Sequence, residues 1–417
     1  MTTPLRISQS MKKSDTLHDV FSGAFPPLAY GNTLEEIENT AQRVVEEIFR
    51  DQDGIILCSV NAATMKPYRL DEIKDRFDGK GTFVERSAIP QAIKPIWINY
   101  ENTGQATGTY LDALCAKYEV TGSAETREFA RPAFEGVVAI WKGGASVEQS
   151  LGGGGLGWFP KPYDGLRSFK GMHECSVDQY CEVTLGLQSY HRVMADEVEK
   201  KTIEEMIVSF ADWWYDHDFA GIYLGEAIWW KRLETHSMAA SYFLYLYSLA
   251  QSWRPCRKFQ HGFEIWQELK GALKPPGEAV WGCMNGLTIN VLERLMELRP
   301  DLKNFWLAAA RHQARLLVSS VTDRVNMNQR YEFEGFAADY LCAANHMLPG
   351  NGYADLAIKC LNECNSRDRF YHLRRGLHKA DLDTRETGDD MRDAYMCELH
   401  VHWLSGYWKL RLSGDLR

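Results

Sequence analysis

The densest group of residues suited to proton transfer is Met172-His173-Glu174-Cys175-Ser176-Val177-Asp178-Gln179-Tyr180. It sets His173, Glu174 and Asp178 at the entrance of a segment, roughly 177 to 194, that is otherwise apolar. Burying an unpaired charge is costly, so ionisable groups in such a place tend to be partnered or functional. Asp178 or Glu174 is the expected acid or base, with His173 and Gln179 orienting a ligand. A plainer reading stands beside it: Ser176 as N-cap and Gln179 three residues on form a capping-box pattern.

Three more clusters have the same character. Trp229-Trp230-Lys231-Arg232-Leu233-Glu234-Thr235-His236-Ser237 offers tandem indoles for stacking, cations for a carboxylate, and a histidine able to act near neutral pH. Aromatic filler beneath a loop is its bland alternative. In Tyr331-Glu332-Phe333-Glu334-Gly335-Phe336, Glu334 is the better candidate carboxylate because Gly335 leaves the neighbouring backbone accessible, and a helix is expected directly afterwards. Around Asp389-Asp390-Met391-Arg392-Asp393 the spacing is DDxxD, similar to the aspartate motif by which class I terpene synthases hold magnesium, although its place near the C-terminus departs from that family. Acids there also complement a helix dipole. Trp281, Asn285 and Tyr100 suit stacking and hydrogen bonding. Trp158 and Tyr163, after a run of glycines at 152–155, are expected platform residues on a flexible lid. His400 and His402 lie two apart on a helix and point to different faces, so no metal-ligand set emerges and no cofactor is expected.

These clusters need elements to hold them. Residues 32 to 50 place Leu34, Ile37, Ala41, Val44, Val45 and Ile48 on one stripe, the period of a helix packed by one face. Similar one-sided patterns recur near 125–142, 198–216, 257–270, 301–319 and 353–365. Each alternates with a segment apolar nearly all round, at 105–120, 177–194, 238–250, 282–298, 335–348 and 391–411, which other helices must enclose. Inner segments pass to outer ones through short Gly, Pro, Asn and Asp turns, whereas outer segments reach inner ones through long links. Long links in a compact domain are usually functional. They converge on the N-termini of the inner helices, where all the clusters above lie.

Six outer–inner pairs predict an all-α chain with a short N-terminal extension, 1–31, and a single domain, 32–417. Their order resembles the (α/α)6 barrel of six-hairpin glycosidases and related toroid enzymes; an open α-solenoid is the competing architecture. The resemblance implies a carbohydrate-active enzyme with carboxylates and stacking aromatics at the inner-helix starts, hydrolysing a glycosidic or unsaturated uronyl bond of a small-molecule substrate such as an oligosaccharide. A lyase or isomerase working through His236 is the nearest alternative. A terpenoid dehydratase or cyclase, its pocket walled by Met238, Tyr242, Phe243 and Tyr245, is a third.

Composition narrows the partners. With 417 residues and a net charge of -9, the chain has no basic stripe for nucleic acid. No run of eighteen uncharged apolar residues suggests a membrane span, and no apolar leader opens the sequence, so a cytoplasmic protein is expected. The ten cysteines are scattered without a CxxC pair, against a disulfide framework or a cysteine-rich zinc site. Oligomeric state has no signature in the sequence.

Overall fold

A computed structural model describes residues 26–61, 64–67, 97–147, 154–166, 174–223, 226–232, 237–269, 273, 282–322, 330–367, 370 and 394–417. In chain order these form α1 (Leu34–Val44, continued by a π turn Val45–Phe49), β1 (Ser59–Asn61), α2 (Trp97–Tyr100), α3 (Thr103–Thr121), α4 (Ala124–Ala145), β2 (Tyr163–Leu166), α5 (Val177–Val193) and α6 (Glu197–Asp216). They continue with β3 (Ala220–Tyr223), β4 (Glu226–Trp229), a 3-10 turn (Trp230–Arg232), α7 (Ser237–Trp253), α8 (Arg257–Glu268), α9 (Gly282–Leu298), α10 (Lys303–Thr322), α11 (Arg330–Met347), α12 (Tyr353–Glu363), β5 (Ala394–Met396) and α13 (Glu398–Ser413). The fold class is all-α; the strands are short, β1 pairing antiparallel with β5 and β3 with β4.

The apolar and one-sided segments sort into two layers. In α7 every residue from Ser237 to Ala250 is buried, and α3 is buried from Thr103 to Ala116. A helix without a polar face is stable in water only when enclosed, and each buried Leu, Phe or Met contributes about 1.5–3 kcal/mol. Helix α3 packs on α5, α5 on α7, α7 on α9, α9 on α11, α11 on α13, and α13 on α3. The one-sided helices lie against them: α1 on α13, α4 on α3, α6 on α7, α8 on α7, α10 on α9 and α12 on α11. Inner helices leave through tight turns, α3 ending on Gly122 in the left-handed conformation at φ 61°.

Two helix boundaries differ from the sequence reading. The last inner helix begins at Glu398 rather than near 391, because 394–396 pairs with β1 and the Cys397 amide donates to the Cys58 carbonyl at 2.9 Å. The fifth begins at Arg330, so the alternating Glu and aromatic residues of 331–336 wind into its first turns. Tyr30, two residues before the expected start of the domain, is buried, stacks on Phe370 at 4.7 Å and bonds His400 Nε2 at 2.8 Å. No helix among the described residues is long and apolar enough to cross a membrane.

Candidate functional site

The N-terminal ends of α3, α5 and α13 meet in a polar layer. Its centre is Lys161, buried, whose Nζ lies 3.1 Å from Glu101 Oε1 and 3.4 Å from Asn102 Oδ1. The backbone puts it there: the Lys161 amide donates to the Glu174 carbonyl at 2.7 Å, and the Cys175 amide donates to the Ile222 carbonyl at 2.8 Å. The segment carrying Lys161, the entrance to α5 and β3 are thereby held side by side. Tyr223 of β3 donates to Glu101 Oε1 at 3.3 Å, and its ring lies 4.7 Å from Lys161 Nζ. Burial works against the Lys161 charge, but Glu101, Tyr223 and Asp178 outweigh it and push the ammonium well above its ordinary value. Burial in turn raises Tyr223, which stays a neutral donor.

Around this pair, Tyr163 donates to Glu174 Oε2 at 3.0 Å, Asn102 donates to Glu398 Oε1 at 2.6 Å, and Gln179 Nε2 donates to the Glu101 carbonyl at 2.5 Å. Glu174 is fully buried, while Asp178 is partly exposed in the first turn of α5. Of the expected carboxylates, Glu174 and Asp178 therefore share one layer. The expected capping box does not form: Ser176 stands at the N-cap without a side-chain cap bond, and Gln179 is drawn away to Glu101.

One helical turn deeper lies a second polar layer. Residues four apart on a helix share a face, so Thr109 lies under Gln105, Glu182 under Asp178 and His402 under Glu398. Glu182 Oε2 accepts from Thr109 Oγ1 at 2.7 Å. His402 Nδ1 lies 2.9 Å from Asp339 Oδ2, and Asp339 also accepts from Ser405 at 2.8 Å and Lys409 at 2.7 Å. Burial pushes the Asp339 carboxyl up, yet Lys409 and His402 outweigh it and hold it well below the usual carboxylate range. Glu182 goes the other way: burial, with Asp339 adding to it, pushes its carboxyl up to about 7 against His402, Thr109 and Lys409.

The charges continue toward the short-turn end. Lys409 Nζ lies 2.8 Å from Asp112 Oδ2, which shares its other oxygen with Arg294 at 3.3 Å and Ser189 at 2.5 Å. This triad floors a cavity of about 600 Å³ at the C-terminal ends of the inner helices, lined also by Arg192, Glu293 and His346.

Several buried polar atoms at the inner-helix starts have no hydrogen-bond partner among the described residues: Thr103 Oγ1, Ser176 Oγ, Gln179 Oε1, Asn285 Nδ2 and, deeper, Glu182 Oε1, Asn290 Oδ1 and His402 Nε2. Each such atom costs roughly 1–3 kcal/mol unless something fills its shell.

The aromatic expectations fare unevenly. Trp158 is fully buried with its ring 5.0 Å from that of Trp213, so it is core and offers no platform. Gly157 permits the close approach of this loop to α6, since a Cβ there, at φ 94°, would lie 2.0 Å from the Ser209 carbonyl oxygen. Tyr163 is buried as well. Of the tandem indoles Trp230 is buried and Trp229 is 38% exposed, as the alternation of β4 into the following turn dictates. Tyr100 is partly buried, and a Cβ on Gly165 would lie 2.9 Å from its hydroxyl. Phe243 stacks on Trp266 of α8 at 4.6 Å, and Tyr245 donates to Gln188 at 2.7 Å. His173, His236, Trp281, Asp389, Asp390 and Arg392 lie outside the described residues, and Arg232, Tyr331 and Glu334 are placed by their backbone alone.

Lys161, Glu182 and Lys409 are not singled out by the sequence pattern. The signal available for Glu182 and Lys409 was an ionisable residue inside a largely apolar segment, as at Asp112 and Asp339, whereas Lys161, between Pro160 and Pro162, carried none. His400 and His402 do face apart, one toward Tyr30 and Tyr395, the other toward Asp339. Burial lowers His400 to about 3, which keeps it neutral. No group of three or more His, Cys, Asp or Glu among the described residues is placed to hold a metal ion.

No protein-family model matches the chain, and no curated protein matches it either.

Proposed function

We propose that the chain is a carbohydrate-active enzyme of the six-hairpin toroid type, hydrolysing a glycosidic or unsaturated uronyl bond at the starts of its inner helices. The observation that carries this reading is the set of buried hydrogen-bonding atoms without a partner among the described residues at the inner-helix starts: Thr103, Ser176 and Gln179 in the layer of Glu174, Asp178 and Glu398, and Asn285 in the first turn of α9. A polyhydroxylated ring supplies donors and acceptors in several directions at once, which suits a mixed set of orphan hydroxyl, carbonyl and amide groups. Asp178 is the partly exposed carboxylate of the layer and carries proton transfer, with Glu174 beside it; Lys161 and Tyr223 fix the charge and donor pattern at the mouth. Inner helices whose contacts run from α3 round to α13 and back support the toroid.

The test is release of reducing ends or of unsaturated uronate from a panel of oligosaccharides. Asp178→Asn should lower turnover by about 100-fold or more with the fold intact, as loss of a general acid or base does. Cleavage that leaves a new double bond in the product, or full activity in both Asp178→Asn and Glu174→Gln, would remove the reading.

A further inference from the structure

Two buried atoms from different helices confront each other beneath Asp178. Glu182 Oε1 of α5 and His402 Nε2 of α13 stand 3.8 Å apart, too far for a hydrogen bond, and neither has a partner among the described residues. Both side chains are almost fully buried, at 2% and 0% exposure. Their other ends are fixed, Glu182 Oε2 by Thr109 and His402 Nδ1 by Asp339. An ionised Asp339 only accepts, so Nδ1 carries the imidazole hydrogen and, in the neutral ring, Nε2 presents a lone pair. Two acceptors therefore point into one gap.

We propose that Glu182 and His402 hold a water molecule between them that donates one hydrogen to Oε1 and one to Nε2, and that this water is the nucleophile of the hydrolysis. The assignment rests on the hydrolase reading above. A water donating both hydrogens downward turns its lone pairs toward the layer of Asp178, one helical turn above. As its oxygen bonds to the anomeric carbon, one O–H bond breaks and that proton passes to His402 Nε2. The glycosidic C–O bond breaks with its electron pair on the leaving oxygen, which takes a proton from the rim carboxyl of Asp178 or Glu174. Asp339 is a positioning residue: it sets the tautomer and stabilises the imidazolium, as the carboxylate of a catalytic triad does.

The groups facing Glu182 define its titration. They are Thr109 from α3, His402 and Lys409 from α13 and Asp339 from α11, with Cys181 beside it on α5. The net effect leaves Glu182 near 7, so the second acceptor is lost as pH falls through neutrality.

The experiment joins a high-resolution structure of the full chain with pH profiles of kcat/KM for the wild type, Glu182→Gln, His402→Gln and Asp339→Asn on whichever oligosaccharide the panel identifies. Expected are a water within hydrogen-bond distance of both Oε1 and Nε2, an acid limb near pH 7 in the wild type, and loss of that limb in Glu182→Gln. His402→Gln should reduce kcat at least 100-fold with little change in KM, and Asp339→Asn should move the pH profile as well as its height. An empty gap, a direct Glu182–His402 bond, or a Glu182→Gln enzyme with unaltered profile and turnover overturns the assignment while leaving the hydrolase reading standing. If His402→Gln fails to fold, the wild-type structure and the Glu182→Gln profile decide. A wild type that cleaves no member of the panel removes the hydrolase reading, and the nucleophile with it.

Discussion

Gly186 on α5 rests against the backbone of Gly108 on α3: a Cβ added at Gly186 would sit 2.2 Å from the Gly108 carbonyl oxygen. The converse also holds, for a Cβ at Gly108 would lie 2.6 Å from the Glu182 carbonyl oxygen. The two helices that carry Thr109 and Glu182 are thus set at their separation by a pair of missing side chains. Gly186→Ala should force them apart and destabilise by roughly 1–3 kcal/mol, the range for overpacked cores, despite the gain in helix propensity. Urea unfolding midpoints of the two single alanine variants check this. A variant as stable as the wild type would mean that the helices slide freely.

The Asp112 carboxylate, with Lys409 at 2.8 Å and Arg294 at 3.3 Å, joins α3, α9 and α13. Asp112→Asn takes the carboxylate from between two buried cations and should cost about 3–5 kcal/mol, the range for breaking a buried ion pair. The exposed Lys200–Glu197 pair, broken by Glu197→Gln, should leave the urea midpoint essentially unchanged. Burial pushes Asp112 up, but Lys409 and Arg294 outweigh it and hold it below its ordinary value; Asp339 is lowered as well. Groups with depressed folded values stabilise above their unfolded values and lose that contribution as pH falls through the folded ones. Acid should therefore unfold the chain, and Asp112→Asn should flatten the dependence of the urea midpoint on pH below about 4.

Glu182 has the opposite sign. Its folded value near 7 is above the ordinary 4.5, so its contribution is complete below the unfolded value and declines as pH rises toward the folded one. Glutamine mimics the protonated form. Glu182→Gln should match the wild type near pH 4 and exceed it by about 3 kcal/mol at pH 8, at 1.36 kcal/mol per unit. Urea midpoints at the two pH values decide it, and a gain independent of pH would show that the carboxyl is not the cause. A more stable but slower enzyme is the expected signature of a site residue.

Much of this arrangement was legible from periodicity, because burial all round and burial on one face leave different patterns. Ser237–Ala250 and Leu34–Val44 are the clearest instances, and the short turns were marked by residues such as Gly122. What periodicity could not give is depth. Trp158 reads as a platform because tryptophan stacks on sugars, yet the loop carrying it is pulled beneath α6 by a contact at Ser209 invisible in the local sequence. Nothing in the sequence around Lys161, between Pro160 and Pro162, marks it as interior; the pairing of its backbone with Glu174 and of its charge with Glu101 makes it so. Glu182 and His402 are 220 positions apart by number, and nothing in either helix alone indicates that they face one another.

The Lys161–Glu101 pair gives the sharpest test of the rim. The ammonium is almost completely enclosed, at 1% exposure, and held above its ordinary value, so it stays charged across the physiological range. Its contribution is present below the unfolded lysine value near 10.4 and is lost only as pH climbs through the higher folded one. Lys161→Met removes the cation beside the Glu101 carboxylate and should destabilise by about 3–5 kcal/mol. Glu101→Gln should cost a similar amount by removing the carboxylate that bonds the buried ammonium. The double variant should lose less than the sum of the two, since two neutral side chains incur no charge burial, giving a coupling energy of about 1–3 kcal/mol in thermal or urea unfolding. If the double variant instead loses the sum of the two, the residues act independently, and the rim is held by Tyr223, Asn102 and Gln179 rather than by its charges.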